Sequence, residues 1–242
     1  MAHFYIDSRL ESTTPGAQVT VSGTEARHAV TVGRLRAGES IRVGNGRGVI
    51  ATGTVTATSP SEFTIEVTDV ATQRRLEPQL WLAQALAKND RDELAVQMAT
   101  ELGVDGVIPW AAQRSIVKWE GTKLSKHLDR WAAIVHEAAK QSVRAYVPEL
   151  EDLKSTKSLA SLAADFDTYV LDPAATERLA QVRPGVRDIL LIVGPEGGIA
   201  PAEFALFETA GASRRRLGDS VLRTSTAGAA ALATLAVNLG RW

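Results

Sequence analysis

The stretch from residue 190 to residue 242 constrains the fold more than any other part of the chain. Ile189–Val193 is an apolar run, which is the pattern of a buried strand. A glycine-rich turn, Gly194–Gly198, follows it, and Pro201 marks the start of a helix. A second short strand at about Arg215–Gly218 leads through a loop to a long alanine-rich helix. Two such units place both loops at the carboxyl edge of a parallel sheet, where open α/β sheets bind ligands.

The composition limits the classes of protein to which the chain can belong. It has 242 residues, 45% of them hydrophobic, which is enough for one large domain or two small ones. The formal net charge of −1 gives no overall attraction to nucleic acid, so a basic surface would have to be local. Because cysteine is absent, disulfides, thiolate nucleophiles and cysteine-ligated zinc are excluded.

Neither a membrane segment nor a metal site is predicted. The first residues lack a signal pattern, and no apolar run reaches the roughly 18 residues of a membrane span, which predicts a cytoplasmic protein. His127 and His136 are nine residues apart on one predicted helix, and neither has a partner at metal-ligand spacing. We therefore expect no metal, and no arrangement of hydrolase residues stands out.

The first part of the chain, residues 1–72, is predicted to be a small all-β barrel. Short runs rich in Val, Ile and Thr alternate with turn signals, and Thr24 begins one short helical segment. The predicted strands are 19–21, 40–43, 49–56 and 63–70. A polar, charged stretch closed by Pro78 marks the boundary, and residues 73–242 form the second domain.

The barrel carries an uneven charge. Five arginines fall within about twenty residues, with His28 among them and only Glu39 in opposition: Arg27, Arg34, Arg36, Arg42 and Arg47. Arginine suits bidentate contacts to phosphate or bases. An ordinary solvated strand face is the alternative, and composition alone favours that alternative.

The second domain alternates strands and helices, so we predict an α/β fold around a five-stranded, mostly parallel sheet. The predicted strands are 80–86, 106–111, 169–171, 189–193 and 215–217. Asp90 is predicted to cap a helix that runs to Leu102, with Glu93 at its third position and Gly103 at its C-terminal end. A longer helix is predicted over 123–143. Basic residues near the ends of these elements either line a groove or simply face solvent: Lys88, Arg91, Arg114, Arg130, Lys140 and Arg144.

Three features of the C-terminal stretch have two interpretations each. The turn Gly194–Gly198 either brings backbone groups close to a ligand or is an ordinary strand-to-helix turn, and Glu196 either faces a ligand or stabilises that turn. Arg223 precedes an apolar helix, so it either pairs with a carboxylate or faces a substrate anion, and the second is favoured. The small-residue helix at 226–239 is either a subunit interface or a core helix.

Several short motifs occur in a fixed order along nearly the whole chain. They are HAVTVGR at 28–34, Asn45-Gly46, QALAK at 84–88, ATELGV at 99–104, Arg114-Ser115, EAAKQS at 137–142 with Arg144, GPEGG at 194–198 and LG…LRT at 217–224. In this order they resemble the RsmE family of SPOUT methyltransferases, which methylates uracil N3 in small-subunit ribosomal RNA. Three positions depart from the family pattern: Gly33 replaces Leu, Ala87 replaces Pro, and Ser225 replaces an acidic residue.

The resemblance implies a PUA-like β-barrel joined to a SPOUT domain whose C-terminal segment forms a trefoil knot. It implies S-adenosylmethionine as cofactor and a homodimer formed through the knot helices. The cofactor residues implied by position are Leu171, Gly194, Glu196, Gly198, Ile199, Leu217, Gly218, Ser220, Leu222 and Thr226. The RNA-binding residues are His28, Arg34, Arg36, Lys88, Arg91, Arg114 and Arg144.

Arg223 is the predicted catalytic residue. Uracil N3 is a poor nucleophile until its proton leaves, and a guanidinium that donates to a uracil carbonyl would stabilise the resulting anion. A base whose Watson–Crick edge reacts must also be unstacked. Because Ser225 stands where the family has an acidic residue, no role for a carboxylate there is carried over.

Two other functions remain open from the sequence. A non-catalytic RNA-binding or ribosome-assembly protein of the same fold is favoured by Ser225 alone, and cofactor binding with turnover would exclude it. An α/β enzyme acting on a small molecule would leave the arginine-rich barrel without a role.

Overall fold

The computed structural model describes residues 3–242, which form two compact units. One comprises the chain up to Arg75 together with Ala139–Val147, and the other comprises Leu76–Ala138 and Pro148–Trp242. No helix within 3–242 is long and apolar enough to cross a membrane.

The first unit is built on a five-stranded sheet of order β1-β3-β4-β5-β2. The strands are β1 Phe4–Ile6, β2 Gln18–Ser22, β3 Ser40–Gly44, β4 Val49–Ser59 and β5 Glu62–Thr72. The alternating pattern correctly predicted β2 to β5, and β1 is missed because three residues are too short for such a pattern. Alternate residues of these strands, among them Val21, Ile41, Phe63 and Ile65, form the core.

The helical segment predicted from Thr24 onwards has two parts. The helix α1 spans Thr24–Arg27 and continues as a π-helical turn, His28–Val32. Gly23 with φ 89° occupies the N-cap position, so the prediction of Thr24 as cap is wrong. A glycine fits this position because it adopts positive φ without steric cost.

The segment 139–147 joins the first unit through specific contacts. The hydroxyl of Tyr146 donates to the carbonyl of Gln73 over 3.0 Å, and the backbone N–H of Val147 donates to Gly46 O. The half-buried ion pair of Lys140 and Glu25 has an N–O distance of 3.3 Å. The sequence boundary at 72/73 did not anticipate this return of the chain, because it depends on contacts between distant residues.

The second unit is built on a seven-stranded sheet rather than the predicted five-stranded one. Its order is β12-β10-β11-β6-β7-β8, with β9 also paired to β7, and every pairing is parallel. The strands are β6 Leu80–Ala85, β7 Gly106–Ala111, β8 Glu149–Leu150, β9 Lys154–Ser155, β10 Asp167–Leu171, β11 Ile189–Val193 and β12 Ser213–Arg215. The two additional strands, β8 and β9, have two residues each, and β12 begins two residues earlier than predicted.

In the part of the chain that the structure describes, five helices lie between and after the strands of this sheet. They are α2 Arg91–Glu101, α3 Thr122–Gln141, α4 Thr156–Ala163, α5 Pro201–Thr209 and α6 Thr224–Asn238, with a 3₁₀ turn at Leu179–Gln181. Pro201 opens α5 as predicted, and Glu203 Oε2 accepts a hydrogen bond from Ala200 N over 3.0 Å. The buried cluster around Trp110, Ile192 and Phe207 lies between the sheet, α4 and α5.

The predicted capping of α2 is only partly correct. Asp90 is at the N-cap position, but its side chain makes no capping hydrogen bond. Glu93 forms an ion pair with Arg130 instead of reaching back to the cap. Gly103, with φ 93°, lies one residue beyond the C-cap Leu102.

The last helix returns from the edge of the sheet to its centre. After the edge strand β12 the chain crosses to α6, which packs against β6, β11 and α2. A Cβ atom at Gly228 would lie 3.2 Å from both δ-carbons of Leu82 and 3.6 Å from Val193 Cγ2, so glycine permits the close approach. This path is consistent with the knot that the resemblance implies.

Candidate functional site

A cavity of about 410 Å³ opens at the carboxyl edge of the sheet in the second unit. Three loops line it, and they follow β10, β11 and β12. Their apolar walls include Leu171, Val193, Ile199, Leu217 and Leu222. The volume and the mainly apolar walls are typical of a small-molecule or cofactor site.

The glycine turn after β11 is shaped by its own close packing. A Cβ atom at Gly194 would lie 2.6 Å from Ile199 Cγ1, so no larger residue fits without displacement. Gly198 has φ 73°, and its N–H donates to Pro195 O over 2.9 Å. Glycine is required at both positions for different reasons, steric at the first and conformational at the second. The turn leaves its backbone groups at the cavity wall, as a ligand loop requires.

A buried hydrogen-bond chain ties this turn to the start of α6. Gln84 Nε2 donates to Thr224 Oγ1 over 2.9 Å, and Thr224 Oγ1 donates to Gly194 O over 2.7 Å. All three residues are in the second unit, and two of them line the cavity. In the sequence, Gln84 and Thr224 stand within family motifs that indicate no role for either side chain.

Glu196 contacts protein groups in the structure. Its Oε1 accepts hydrogen bonds from Lys88 N over 3.1 Å and from Arg91 Nη1 over 3.3 Å. Of the two interpretations left open, local stabilisation is therefore observed, and it extends to the N-terminus of α2. Glu196 also lines the cavity.

At the start of α2, the side chain that accepts backbone hydrogen bonds is that of Asp92 rather than that of Asp90. Asp92 Oδ2 accepts from Ala87 N over 3.1 Å, and Oδ1 accepts from Glu93 N over 2.9 Å. Burial raises the pKa of the Asp92 carboxyl, although these two backbone hydrogen bonds oppose the shift. Its position, two residues after the predicted cap, was not foreseen from the sequence.

Charged residues directly after β10 and β12 also line the cavity. Asp172 is buried, and its Oδ2 lies 3.3 Å from Arg214 Nη1. Arg216 pairs with Asp219 over 3.2 Å. Asp172 and Arg216 line the cavity, so each of the two pairs contributes one member to its wall.

Arg223 lies at the N-cap of α6 and lines the cavity. Its side chain is exposed, and within 3–242 no carboxylate pairs with it. Its backbone carbonyl accepts hydrogen bonds from Thr226 N and Ala227 N. A guanidinium without a protein anion, facing a cavity, is available to bind a ligand.

Nine of the ten residues predicted to contact the cofactor line this one cavity. They are Leu171, Gly194, Glu196, Gly198, Ile199, Leu217, Gly218, Ser220 and Leu222. Thr226 lies outside the lining, because its hydroxyl turns back to donate to Arg223 O over 3.2 Å. Ser225, where the family has an acidic residue, is buried in the first turn of α6.

The residues predicted to bind RNA fall into two groups. His28, Arg34 and Arg36 are exposed in the first unit, on the π-helical turn and directly after it. Arg34 has φ 53°, which is unusual for a residue other than glycine. Arg144 belongs to the same unit through the segment 139–147.

The second group lies around the glycine turn in the other unit. Lys88 is exposed, whereas Arg91 is half-buried, lines the cavity and pairs with Glu196. Arg114 Nη1 donates to Gly197 O over 3.2 Å. Arg91 and Arg114 therefore support the turn itself.

The cavity fits S-adenosylmethionine in its chemistry. Apolar walls suit an adenine ring, and glycine positions without a Cβ allow a ligand to approach the backbone. At Gly218 a Cβ atom would meet nothing within 4 Å, so that loop is open towards the cavity that it lines.

Comparison with known proteins agrees with this geometry. A family model described as an RNA methyltransferase domain matches residues 74–236, and one described as an RNA methyltransferase PUA domain matches residues 21–68. Ribosomal RNA small subunit methyltransferase E of Mycobacterium bovis is 39% identical over 245 aligned residues, which cover 99% of this chain and 92% of that protein. The protein of the same name from Bacillus subtilis is 29% identical and covers 97% of this chain.

A crystal structure supports the same assignment. Ribosomal RNA small subunit methyltransferase E from Neisseria gonorrhoeae, bound to S-adenosyl methionine, superposes with a TM-score of 0.88 at 27% identity and covers 98% of each chain. The predicted fold, a PUA-like unit followed by a SPOUT domain, is thus confirmed. The chain belongs to the ribosomal RNA small subunit methyltransferase E family.

Proposed function

We propose that the protein transfers a methyl group from S-adenosylmethionine to N3 of a uridine in small-subunit ribosomal RNA. The observation that carries this proposal is the single cavity that brings together the glycine turn Gly194–Gly198 and Arg223. A relative of the same family, from Neisseria gonorrhoeae, was crystallised with S-adenosyl methionine. The uridine and its N3 atom come from the resemblance of the motifs described above.

The loops after β10, β11 and β12 hold the cofactor in this proposal. Their apolar residues enclose its adenine ring, and the backbone of the glycine turn contacts its polar groups. The bound cofactor supplies a methyl group activated by a positively charged sulfur. Residues of the three loops orient that group and exclude water from it.

Arg223 acts on the uracil. Its guanidinium donates hydrogen bonds to a carbonyl oxygen of the base, where negative charge develops as the N3 proton passes to solvent water. Because the Arg223 side chain has no carboxylate partner within 3–242, no ion pair has to be broken before its N–H groups donate to the uracil. Holding the base close to the methyl group supplies a further part of the rate enhancement.

Arg223 provides this stabilisation without acting as a base, so the reaction does not require a carboxylate at Ser225. The hydroxyl that replaces the family's acidic residue is buried in the first turn of α6. The Arg223 side chain, in contrast, is exposed at the cavity.

The first unit recognises the RNA. His28, Arg34 and Arg36 are exposed on one short segment, and together they suit contacts to phosphate and to base edges. The catalytic and cofactor roles belong to residues 73–242. The RNA-binding role belongs to residues 1–72, with Lys88, Arg91, Arg114 and Arg144 of the second domain adding to it. The substrate, small-subunit RNA, places the reaction in the cytoplasm.

The functional form is a homodimer that associates through α6. Four residues at helical spacing reach the surface along this helix: Thr226 and Val237 are exposed, and Ala230 and Ala233 are partly buried. They are small or apolar, and small residues allow two helices to approach closely. A second copy of the chain would bury Val237, which is 60% exposed here.

A non-catalytic RNA-binding or assembly protein of the same fold is the second candidate, and Ser225 is the observation that favours it. Calorimetric titration of the protein with S-adenosylmethionine separates the candidates when it is followed by a turnover assay on small subunits that lack the methyl group. Saturable binding together with turnover supports the methyltransferase. Binding of RNA without cofactor binding supports the assembly protein.

A further inference from the structure

Two consecutive hydrogen bonds join β6, the glycine turn and the start of α6. Gln84, near the end of β6, donates from Nε2 to Thr224 Oγ1, and Thr224 donates from Oγ1 to Gly194 O. Thr224 is the first residue of α6, and Gly194 is the first residue of the glycine turn. We name this chain of bonds the Gln84–Thr224–Gly194 relay.

The direction of the relay is fixed by chemistry. A threonine hydroxyl has one proton, and here it is given to the Gly194 carbonyl, so Thr224 Oγ1 must accept from the Gln84 amide N–H. The Gln84 amide is thereby oriented with Nε2 towards Thr224. The second N–H of this group donates to Ala85 O over 3.1 Å.

Gln84 is an unusual choice for this place in the core. Its side chain is 0% exposed, and its Oε1 has no hydrogen-bond partner among residues 3–242. A buried amide oxygen without a partner destabilises a fold, whereas an apolar side chain of similar size avoids that cost. Stability alone therefore does not account for glutamine here.

The relay is also not needed to dock α6. That helix is held along its length by contacts with β6, β11 and α2, including the close approach of Gly228 to Leu82. The relay acts on the first residue only. That residue directly follows Arg223 and shares the cavity wall with Gly194.

We propose that Gln84 and Thr224 are positioning residues that hold the glycine turn and Arg223 at a fixed separation. In the proposed function the glycine turn contacts the cofactor and Arg223 contacts the uracil, so this inference rests on that function. A displacement of about 1 Å between reacting groups can reduce a rate about a hundredfold. The hydrogen bond from Thr224 to the Gly194 carbonyl, with Thr224 Oγ1 itself held by Gln84, limits such a displacement.

The decisive variants are Thr224→Val and Thr224→Ser. Valine has the shape of threonine but neither donates nor accepts, whereas serine keeps both hydrogen bonds. We expect Thr224→Val to lower kcat about tenfold or more and to raise KM for S-adenosylmethionine, with KM for the RNA substrate unchanged. Thr224→Ser should restore kcat to within about threefold of the parent.

Thr168→Val is the matched control. Thr168 is buried in β10 of the same sheet, and its hydroxyl donates to a backbone carbonyl, Ala163 O, over 2.8 Å. It is not part of the cavity lining. Its substitution should lower the Tm as much as Thr224→Val does while leaving kcat unchanged.

Gln84→Met separates positioning from stability. The substitution removes the donor to Thr224 and also removes the unpaired oxygen, so the two effects on stability oppose each other. We expect a lower kcat, in the direction of Thr224→Val, without a matching fall in Tm. If Gln84 had only a structural role, kcat and Tm would fall together.

Two measurements on the same variants do not depend on turnover. The affinity for S-adenosylmethionine, measured by calorimetry, should fall in Thr224→Val and recover in Thr224→Ser. Amide hydrogen exchange, measured by mass spectrometry, should become faster in the peptide that covers Gly194–Ile199 in Thr224→Val, and not in Thr168→Val.

The inference is overturned if Thr224→Val retains parental kcat, cofactor affinity and exchange of the glycine turn. It is also overturned if serine fails to restore what valine loses, since the hydrogen bonds would then not be the cause. A parent that binds the cofactor but methylates no small subunit contradicts the proposed function. In that case the cofactor affinities and exchange rates still support or overturn the relay.

Discussion

Arg91 and Arg223 both line the cavity, and only one of them has a carboxylate partner among the described residues, which separates their roles. Arg91 forms an ion pair with Glu196, which also accepts a hydrogen bond from Lys88 N. The charge of Arg91 therefore stabilises the glycine turn. Arg223 has no carboxylate partner within 3–242. Of the two residues, Arg223 alone therefore offers a guanidinium to a ligand without breaking an ion pair.

Replacing Arg223 by alanine should remove methyl transfer while leaving the cofactor bound. We expect kcat to fall about a hundredfold or more, which is typical for the loss of a donor to a developing oxyanion. Arg223→Lys should recover only part of the rate, because lysine retains the charge but lacks the planar pair of donors. Single-turnover assays with calorimetry of S-adenosylmethionine binding test this, and near-parental turnover of Arg223→Ala would exclude the role.

For individual residues, the sequence was sufficient to predict which ones belong to the site but not the hydrogen-bond partners of their side chains. Arg223 and the glycine turn were identified at the carboxyl ends of strands, and the cavity residues predicted to contact the cofactor were implied by position in the family resemblance. The relay was not predicted from the sequence, because Gln84 and Thr224 are 140 positions apart and no local pattern indicates a hydrogen bond between them. Asp92 was passed over for Asp90 because the αL backbone of Asp90, with φ 56°, is not visible in a capping signature.

Among the elements, the π-helical turn His28–Val32 presents the exposed basic residues of the first unit. Gly33 follows it, and a Cβ atom there would lie 2.7 Å from Ala29 O, so the replacement of the family's leucine by glycine permits the tight return of the chain. Arg34 then has φ 53° and an exposed side chain. This turn thus explains one of the three departures from the family pattern.

Arg34→Ala should weaken RNA binding without changing cofactor affinity. The loss of one phosphate contact reduces the slope of log K against log salt concentration by about one. Filter binding or fluorescence anisotropy across a salt series measures this slope. Arg187→Ala, which removes another exposed arginine on the second unit, is the control. Equal affinity of parent and Arg34→Ala at every salt concentration would contradict the prediction.

The first turn of α2 makes the stability of the protein depend on pH. Burial raises the pKa of Asp92, so the folded state holds its proton more tightly than the unfolded state does. Between the unfolded pKa, about 3.9, and the higher folded pKa, the free energy of unfolding therefore falls as pH rises. Above the folded pKa the loss is complete and constant.

Asp92→Asn lacks this titration, so its stability relative to the parent should rise with pH across that window. Urea denaturation at a series of pH values from about 4 to 8 measures the difference. Asp165→Asn, at an exposed position after α4, serves as the control. A difference between parent and Asp92→Asn that is constant or falls with pH would contradict the sign of the shift.

The periodicity of apolar residues was sufficient to predict most strands and helices, and its failures have physical causes. Strands of two or three residues, such as β8, β9 and β1, are too short to show alternation. The segment 139–147 reads as the end of α3, yet its contacts with Gln73 and Gly46 place it in the first unit. Such long-range contacts leave no local signal.

For the molecule as a whole, the proposed homodimer depends on α6. Ala233→Arg places a charge among the surface residues Thr226, Ala230, Ala233 and Val237 of that helix and should convert dimer to monomer, because an unpaired charge in an apolar interface is costly. Ala205→Arg, on the exposed face of α5, should leave the mass unchanged. Size-exclusion chromatography coupled to light scattering measures the molar mass in solution. A dimeric mass for Ala233→Arg would rule out this interface.

The most direct test of the central claim is the transfer of labelled methyl from S-adenosylmethionine to small ribosomal subunits that lack the modification. The RNA is then digested to nucleosides and analysed by mass spectrometry. We expect label in 3-methyluridine, present with the parent protein and absent with Arg223→Ala. Label in another nucleoside, or no transfer by a protein that binds the cofactor, would contradict it.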